Sequence, residues 1–375
     1  MILTILFIVA CFLAFSNGAN DNFKGVATLF GSGTTNYKKA INWATITTFL
    51  GAVAAIFFAE TLVKNFSGKG LVPAELIQSP EFAISIALGA ALTVFLATKI
   101  GMPISTTHSL VGALFGSGVM AVGSAFNFSR LGGVFLFPLI VSPLMALIAS
   151  LIIYVIFREL RKMMGVTKES YLCIEDEVRP ITAMTPNEDG TFTVQMKSHK
   201  TIKIVNKSDC IERYEGRFFG INAQVLLDYA HYLSAGVVSF ARGLNDTPKI
   251  VGLLLVINTL DIKWGMVAIA ISMAIGGLLN ARKVGETVSK KITPLNHGQG
   301  FTANLITGLL VTTASIHGMP VSTTHVSVGS IFGIGTITGK ANGKVVSKIL
   351  LSWLLTLPIA AIFSGVVYWI MVQFV

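Results

Sequence analysis

The segment GMPISTTH at residues 101–108 is repeated almost unchanged as GMPVSTTH at residues 318–325. A second pair of related segments lies upstream of these octets, GAND at residues 18–21 and GLND at residues 243–246. The aspartates at 21 and 246 are 225 residues apart and the two octets are 217 apart, so two copies of one unit fill most of the chain. In both copies the polar residues lie within apolar sequence, and this duplication decides the predicted fold.

The composition is typical of a membrane protein. Of the 375 residues, 53% are hydrophobic and 12% are charged, and the mean hydropathy is +0.73. Soluble domains carry about 25% charged residues. Apolar runs of roughly 20 residues recur, which is long enough for a helix to cross a bilayer core of roughly 30 Å. A β-barrel is excluded because its short alternating segments do not occur. The predicted class is an all-α polytopic membrane protein.

The net charge is +10, and most charged residues lie in the connections between apolar runs. We interpret this charge as the orientation signal of cytoplasmic loops and as contact with anionic membrane lipid. Nucleic acid binding is excluded because it needs a basic module of its own. Residues 1–17 lack a basic start, so we expect a first span rather than a cleaved signal peptide. The three cysteines have no metal or disulfide spacing and are interpreted as incidental.

The apolar runs predict matching spans in the two copies. The first span, residues 1–16, is expected to break at residues 17–21, and its counterpart, residues 221–240, is expected to break at residues 242–246. Such breaks occur within a membrane only where protein or a cavity covers the freed backbone groups. Further spans are predicted at residues 43–59, 82–97, 131–157, 264–279, 301–316 and 345–375.

Glycine and proline at the start of each octet are expected to end the preceding helix, so that a new helix begins after Ser105 or Ser322. The glycine-rich runs that follow are typical of a re-entrant hairpin or a tightly packed helix. With about five crossings per copy, the copies insert with opposite orientation. Inverted repeats place their binding sites at the repeat interface near the middle of the membrane. The predicted fold is therefore two inverted repeats with broken helices and re-entrant hairpins.

A charged insertion separates the copies. It gives three predicted regions: a first transmembrane repeat at residues 1–157, a linker module at residues 158–217 and a second transmembrane repeat at residues 218–375. Residues 187–190 are a turn signal flanked by alternating residues, which predicts a small β-hairpin. Basic residues on both sides of the insertion place it in the cytoplasm. A basic loop at residues 282–291 is assigned to the same side.

Each octet places three hydroxyls at a predicted helix start. They belong to Ser105, Thr106 and Thr107, and to Ser322, Thr323 and Thr324. Unpaired backbone N–H groups and the helix dipole attract anions to such starts. Two starts that meet across a pseudo-two-fold axis would surround one tetrahedral oxyanion, phosphate or sulfate, with six hydroxyls. The simpler interpretation is that these residues only cap a core helix. The near-identical duplication within apolar sequence favours the anion site.

Asp21 and Asp246 are carboxylates within membrane segments, where an unpaired charge is costly and a function is the default hypothesis. Each follows an asparagine, so Asn20 and Asn245 add oxygen atoms at the same places. This oxygen set suits Na⁺, whereas a carboxylate that titrates would suit H⁺ equally well. The Asn-Asp pairs are therefore predicted to be cation sites.

Other polar residues lie close to these motifs. Lys24 and Lys249 follow the aspartates by three residues and share a helical face with them. They either form ion pairs with the aspartates, which need not exclude cation binding, or contact the anion directly. The octet histidines are expected to be buried and hydrogen-bonded rather than proton relays. Arg242 is interpreted as an interfacial cation, and Gln224 as a further oxygen for the site.

With these residues in view, the chain resembles the inorganic phosphate transporter family of the PiT type, secondary transporters that take up phosphate with sodium or protons. The resemblance rests on residues 18–21, on their echo at residues 243–246 and on the twin Pro-x-Ser-Thr-Thr-His segments; it excludes roughly residues 158–217. It implies an inverted-repeat fold with phosphate held between the octets. The chain departs from the family pattern at Lys24 and Lys249, where members commonly have a small or polar residue, and this leaves the coupling ratio open.

The resemblance also implies the site residues. The phosphate ligands would be Ser105, Thr106, Thr107, Ser322, Thr323, Thr324, Asn20 and Asn245. The sodium ligands would be Asp21, Asp246, Asn20, Asn245, Ser105 and Ser322. These assignments predict a sodium-coupled phosphate importer of the cytoplasmic membrane, with Na⁺ as coupling ion and no organic cofactor. Cations at the aspartates would offset the phosphate charge, so that neither ligand binds well alone.

Other functions fit parts of the same pattern. A proton-coupled phosphate permease or a sulfate permease would use the same motifs, since related proteins of the family move sulfate. An intramembrane hydrolase is disfavoured, because an enzyme needs one asymmetric site and both motifs are duplicated here. A channel would conduct ions without coupling. The chain is therefore predicted not to be an enzyme, and a homodimer is considered as its assembly.

Overall fold

The structure is a computed structural model that describes residues 1–186, 192–206, 220–257 and 260–374. The chain divides into two compact units, the first made of Met1–Tyr154 and His231–Val375 and the second of Val155–Ala230. Within the described residues, seven helices are long and apolar enough to cross a membrane. The predicted all-α polytopic class is therefore confirmed. The estimate of about five crossings per copy and the division into three regions stay predictions.

The helices of the first copy range from three to 27 residues in length. They are α1 (Ile2–Asp21), α2 (Ala27–Gly31), α3 (Tyr37–Phe58), α4 (Glu60–Phe66), α5 (Ala74–Ile77), α6 (Pro80–Lys99), α7 (Thr106–Val122), α8 (Phe128–Arg130) and α9 (Phe137–Met163). Short 3-10 turns cover Asn22–Val26 and Gly123–Ala125, and a π-helical turn covers Leu131–Leu136. Helix starts follow local signals: Asn36 caps α3 and Ser79 caps α6, where Pro80 takes the first helical position.

The second copy repeats this order. Its helices are α10 (Ala223–Val251), α11 (Ile262–Asn280), α12 (Arg282–Glu286), α13 (His297–Ile316), α14 (Thr323–Ile337) and α15 (Gly343–Phe374). A 3-10 turn covers Gly252–Val256 and a π-helical turn covers Thr287–Lys291. A capping box of Asn296 and Gln299 starts α13. The prediction of a loop at residues 282–291 is wrong, because this segment is helical.

The breaks predicted within the first span of each copy, at residues 17–21 and 242–246, are also wrong. Helix α1 continues through Gly18, and α10 continues through Gly243 and Pro248. Both Asn-Asp motifs therefore lie on continuous α-helix, and the backbone tightens to a 3-10 turn only after them. The glycines that suggested a break have another role, which is close helix packing.

The two copies pack on each other reciprocally. A Cβ atom at Gly18 would overlap the carbonyl of Met273 on α11, and one at Gly243 would overlap the carbonyl of Thr48 on α3. The same relation holds for Gly276 against Phe15 and for Gly51 against Phe240. Because the members of each pair are related by the offset between the copies, the contacts have the pattern of a two-fold axis. Small residues allow this close backbone approach between membrane helices.

Both octets interrupt the chain where predicted. Helices α6 and α13 end two residues before their octet, and α7 and α14 begin at its sixth residue. Gly101 and Gly318 have φ values of +73° and +68°, in the left-handed region that glycine enters without a steric penalty. The N–H of Met102 donates to the carbonyl of Ala97 at 2.9 Å, and the equivalent bond closes α13 at the same distance. Each octet thus starts with the glycine that follows the C-cap residue of the preceding helix, as in a Schellman motif.

The second unit contains an antiparallel sheet. Strand β1 (Ser170–Pro186) pairs with β2 (Phe192–Asn206), and β3 (Gly220–Asn222) pairs with the other edge of β1. The predicted hairpin is confirmed, and its turn at residues 187–190 lies outside the described residues. Cys173 on β1 is disulfide-bonded, so the interpretation of the cysteines as incidental is wrong for this residue.

Candidate functional site

Four chain segments meet within the first unit: the end of α1, the second half of α10, and the N-terminal ends of α7 and α14. All ten ligands predicted from the sequence lie on these segments, and each is at most 5% exposed. They are Asn20, Asp21, Ser105, Thr106, Thr107, Asn245, Asp246, Ser322, Thr323 and Thr324. Because buried polar groups need hydrogen-bond partners, the partners of these side chains define the site.

The two octets contact each other directly. Thr107 Oγ1 donates to the carbonyl of Val321 at 3.2 Å, and Thr324 Oγ1 donates to the carbonyl of Ile104 at 3.1 Å. These bonds are one contact made twice, once from each copy. The structure therefore brings the two Ser-Thr-Thr clusters together, while their roles as ligands stay predictions.

The octet serines start the two helices. Ser105 Oγ accepts the backbone N–H of His108 at 3.1 Å, and Ser322 Oγ accepts that of His325 at 3.2 Å. Both serines are therefore N-caps. A hydroxyl that accepts one hydrogen bond keeps its proton for another acceptor, so capping does not exclude ligand binding.

One amide group links the two carboxylates. Asn17 Nδ2 lies 3.2 Å from Oδ2 of Asp21 and 3.2 Å from Oδ2 of Asp246. It also lies 3.0 Å from Oγ1 of Thr106, which donates to Asp21 at 2.9 Å. The carboxylates of the two copies therefore meet at one side chain. Asn17 is absent from the predicted ligands, although its spacing of four residues from Asp21 indicates a shared helical face.

Lys24 fills a set of oxygen atoms. Its Nζ donates to Asn20 Oδ1 at 2.8 Å, to the carbonyl of Ile104 at 2.7 Å and to Thr324 Oγ1 at 2.7 Å. It also forms an ion pair with Asp21. We call these four oxygens, one each from an amide, a carbonyl, a hydroxyl and a carboxylate, the first oxygen cage. The predicted ion pair is present, together with contacts to both octets.

Lys249 fills the equivalent set in the other copy. Its Nζ donates to Thr107 Oγ1 at 2.6 Å, to the carbonyl of Val321 at 2.8 Å and to Asp246 Oδ1 at 3.4 Å. We call these three oxygens the second oxygen cage. Lys249 follows Lys24 by the same offset as the aspartates, so the pseudo-two-fold relation extends to the lysines.

Asn20 and Asn245 attach their helices to the helix before each octet. Asn20 Nδ2 donates to Oγ1 of Thr98 on α6 at 2.9 Å, and Asn245 Oδ1 accepts from Oγ of Ser315 on α13 at 3.3 Å. Thr98 and Ser315 are equivalent positions, but the amides are turned differently. Asn20 keeps its oxygen for the first oxygen cage, whereas the oxygen of Asn245 is not part of the second.

Arg242 joins the two copies at the same centre. Its Nη2 donates to Asn17 Oδ1 at 2.7 Å, and its Nη1 donates to Asn22 Oδ1 at 2.9 Å and to Thr48 Oγ1 at 3.2 Å. Its Nε lies 3.7 Å from Oδ2 of Asp246. With 1% exposure, Arg242 is not an interfacial cation, and that prediction is wrong. Arg242 lies 225 residues after Asn17, the same offset as between the two aspartates. This equivalence to Asn17 is the sequence signal that could have placed Arg242 in the cluster.

The charged side chains of this cluster have an excess of positive charge. Three cations and two carboxylates, each at most 3% exposed, are Lys24, Arg242, Lys249, Asp21 and Asp246. Their formal charges sum to +1. Buried charge is costly unless it is compensated. An anion that enters here would therefore meet uncompensated positive charge close to two helix N-termini.

The rings of the two octet histidines contact each other at a tilt of 40°. The ring centroids of His108 and His325 are 4.4 Å apart, and His325 stacks on Trp353 at 3.7 Å. Nδ1 of His325 lies 3.3 Å from the carbonyl of Leu139, so the expectation of a buried, hydrogen-bonded histidine is confirmed there. Within the described part of the chain, Nδ1 of His108 and Nε2 of His325 are buried without a hydrogen-bond partner.

Gln224 is not part of this cluster. It belongs to the second unit, where its Nε2 donates to Asp228 at 2.8 Å. The prediction that Gln224 adds an oxygen to the site is therefore wrong. Thr323, in contrast, is buried at the first helical position of α14, equivalent to Thr106 on α7.

Known proteins resemble the chain over nearly its whole length. The sequence model of the phosphate transporter family matches residues 17–364. A Pyrococcus horikoshii protein named as a phosphate permease is 30% identical, with 95% of this chain and 94% of that protein aligned. A Bacillus subtilis protein named as a low-affinity inorganic phosphate transporter is 27% identical, with 99% and 98% aligned. A solved structure described as the sodium-dependent phosphate transporter has a TM-score of 0.77 and 25% identity, with full coverage of both chains.

The family match includes both Asn-Asp motifs and both octets, which are the segments that meet in the buried cluster. The alignments leave only short parts of the chain and of these relatives uncovered, so they concern the whole architecture rather than one region. The apolar helices agree with a multi-pass membrane protein. The chain belongs to the phosphate transporter family.

Proposed function

We propose that the chain is a secondary active transporter that imports inorganic phosphate by alternating access, with phosphate bound between the two Ser-Thr-Thr clusters. The observation that carries this proposal is the reciprocal contact of the octets, Thr107 with Val321 and Thr324 with Ile104, inside a buried cluster of net positive charge. Membership of the phosphate transporter family supports phosphate as the anion. The cytoplasmic membrane is the proposed location.

Phosphate recognition would rest on the N-terminal ends of α7 and α14. These helices have 17 and 15 residues and both start at an octet, so their dipoles bring partial positive charge to the same place. The hydroxyls of residues 105–107 and 322–324 and the first backbone N–H groups would be the donors. A tetrahedral anion can accept hydrogen bonds from two opposed helix ends at once, whereas a planar carboxylate fits this arrangement less well.

Alternating access is supported by the place of these contacts. Thr107 and Thr324 donate to carbonyls of the opposite octet, so a motion that separates the octets frees both hydroxyls for phosphate. Gly112 on α7 lies against the backbone of Leu357, and Gly329 on α14 lies against the backbone of Pro143. Neither glycine has a side chain that would interlock with its neighbour, so each helix can slide along the helix it contacts. Rocking of one bundle against another around a fixed central site is the usual motion of inverted-repeat transporters.

Sodium is the first coupling ion that we propose, because the solved structure of the same fold is described as sodium-dependent. Its proposed ligands are Asp21, Asp246, Asn20, Asn245, Ser105 and Ser322. Oxygen atoms, backbone carbonyls among them, coordinate sodium in other secondary transporters. A bound cation would offset the carboxylate charge beside phosphate, so each ligand would raise the affinity for the other.

Proton coupling is the second candidate, and one observation favours it. The ammonium groups of Lys24 and Lys249 occupy the oxygen atoms that would otherwise be open to sodium. A transporter whose cation positions are already filled gains less from a sodium gradient. The anion site between the octets is the same for both candidates.

Uptake of radiolabelled phosphate by proteoliposomes tests the proposed function. We expect uptake against a phosphate gradient, driven by an inward cation gradient and inhibited by unlabelled phosphate more than by sulfate. Replacing Na⁺ by choline, and imposing a pH gradient at constant Na⁺, separates the two coupling ions. Phosphate conductance without accumulation would indicate a channel. Absence of phosphate uptake by a folded, membrane-inserted protein would contradict the proposal.

The side of the membrane that the second unit faces is a separate question. The basic residues that flank it favour the cytoplasm. The disulfide at Cys173 weighs against that side, because cytosolic proteins rarely keep disulfides. Labelling of Lys168 and Lys203, two lysines in this unit, with a membrane-impermeant reagent in intact cells decides between the two orientations.

A further inference from the structure

We propose that Lys24 and Lys249 are built-in cations: each ammonium group occupies an oxygen cage in place of a free sodium ion and holds positive charge beside the phosphate site. This inference rests on the proposed phosphate transport and deepens it, because it names the groups that take over the charge of the coupling ion at these two positions. Three features of the described residues carry it: the chemistry of the cages, their symmetry, and their connection to the octets.

The first oxygen cage has the chemistry of an alkali-cation site. Lys24 Nζ is surrounded by the carboxylate of Asp21, the amide oxygen of Asn20, the carbonyl of Ile104 and the hydroxyl of Thr324. Four oxygens of four different kinds, with a single carboxylate among them, would suit a monovalent cation. An ion pair that only neutralised Asp21 would need one of them. The ammonium group also binds the other three oxygens, at 2.7–2.8 Å.

The second oxygen cage repeats this arrangement. Lys249 Nζ is bound by the hydroxyl of Thr107, the carbonyl of Val321 and the carboxylate of Asp246. The hydroxyl, the carbonyl and the carboxylate are each the counterpart of an oxygen in the first cage, at the offset between the copies. A lysine that served one local ion pair would have no reason to recur with the same three kinds of partner in the other copy.

Both cages are joined to the two phosphate-binding clusters. Lys24 lies in the first copy and binds Thr324 of the second octet, whereas Lys249 lies in the second copy and binds Thr107 of the first octet. These two threonines also make the contacts between the octets. The lysine charge therefore lies one hydrogen bond away from the hydroxyls that are proposed to bind phosphate.

Two consequences follow from an ammonium group that is attached to the chain. It cannot dissociate, so positive charge is present beside the phosphate site at any sodium concentration. Sodium can enter a cage only after the ammonium group has left, since Nζ already binds the neutral oxygens at 2.6–2.8 Å. Phosphate transport by this chain is therefore expected to depend little on sodium, which favours the second coupling candidate.

Sodium binding can be measured without transport by thermal unfolding of the purified full-length protein in NaCl and in choline chloride at equal concentration, because a ligand of the folded state raises the midpoint. The test variants are Lys24→Asn and Lys249→Asn, which remove the ammonium group and keep a short polar side chain. Lys263→Asn, at an exposed lysine of α11, is the matched control. Asp21→Asn combined with Lys24→Asn removes both charges of the first cage.

We expect the wild type and Lys263→Asn to have the same midpoint in both salts. Lys24→Asn and Lys249→Asn should have a higher midpoint in NaCl, and the double variant should not respond, because its cage has lost the carboxylate. In proteoliposomes, sodium should stimulate phosphate uptake by Lys24→Asn at least about fivefold, the lower end of common coupling between two sites. It should leave the wild type unchanged.

A sodium-specific rise of the wild-type midpoint as large as that of Lys24→Asn would overturn the inference. So would a folded Lys24→Asn protein that responds to sodium in neither assay. If Lys24→Asn does not fold, Lys249→Asn answers the same question in the looser cage, where the carboxylate lies 3.4 Å away. If the unfolding midpoints respond to sodium as expected but no protein takes up phosphate, the proposed function is contradicted and the inference about the built-in cations is still supported.

Discussion

Replacing Arg242 by asparagine tests whether this residue holds the two copies together at their polar centre. Asparagine is the residue at the equivalent position, 17, so the change makes the second copy resemble the first. It removes hydrogen bonds of 2.7, 2.9 and 3.2 Å to Asn17, Asn22 and Thr48 and the ion pair with Asp246 at 3.7 Å. Three of these partners belong to the first copy, so most of the loss falls on the interface between the copies.

The loss of stability in Arg242→Asn can be estimated from the buried carboxylate of Asp246, which remains after the arginine is removed. Breaking a buried ion pair costs about 3–5 kcal/mol, because the partner keeps its charge without compensation. Asp246 retains Lys249 at 3.4 Å, so we expect the lower end, about 3 kcal/mol. With an unfolding entropy of about 2.1 cal/mol/K per residue over the roughly 300 residues of the first unit, this lowers the unfolding midpoint by about 5 °C.

The assay is thermal unfolding of the wild type, Arg242→Asn and Arg242→Lys in detergent, each with and without phosphate. Lysine keeps the charge but lacks the planar fork that binds three oxygens, so its midpoint should fall between the other two. Phosphate should stabilise Arg242→Asn less than the wild type, since the formal charge of the cluster falls from +1 to zero. A midpoint of Arg242→Asn within about 1 °C of the wild type would refute the reasoning.

Three further predictions concern uptake and packing. Thr107→Val and Thr324→Val should each lower phosphate uptake about tenfold or more, because each leaves a buried ammonium group without one acceptor. If only one of the two variants lowered uptake, the equivalence of the two octets would be wrong. Asp21→Asn should abolish uptake while the protein still reaches the membrane, as measured by labelling of the membrane fraction, and full uptake by this variant would exclude a role for the carboxylate. Gly18→Val should lower the unfolding midpoint by overpacking against α11, at a cost of about 1–3 kcal/mol, whereas Gly132→Ala, with no atom within 4 Å of the added carbon, should not.

The octets show what local sequence can predict. Glycine at a position that needs a positive φ, proline two residues later and serine at the next helix start are signals within eight residues. Each acts through the backbone of its own neighbours, so the ends of α6 and α13 and the starts of α7 and α14 were predictable. The meeting of the two octets was predictable from a different signal, the duplication, because inverted repeats place their equivalent segments at the repeat interface.

The breaks expected in α1 and α10 show where local reasoning fails. The local sequence indicates interruptions at Gly18 and Gly243, but each lies where a carbonyl of the other copy approaches the helix. The sequence near a glycine does not distinguish a break from a close contact, because the deciding atoms, in Met273 for Gly18 and in Thr48 for Gly243, belong to the other copy. The place of Arg242 is not predictable from its neighbours for the same reason, since its acceptors Asn17 and Asn22 belong to the first copy.

The amino-acid sequence alone determined the membrane class, the duplication, the helix boundaries at the octets and the family to which the chain belongs, because these follow from composition and from patterns within one copy. Only the tertiary structure decided that the ammonium groups of Lys24 and Lys249 lie in oxygen cages completed by the opposite octet. The contact between Lys24 and Thr324 spans 300 residues of sequence. Whether a buried lysine faces its own aspartate alone or a full set of oxygens depends on how the two copies dock, and docking is a property of packed surfaces.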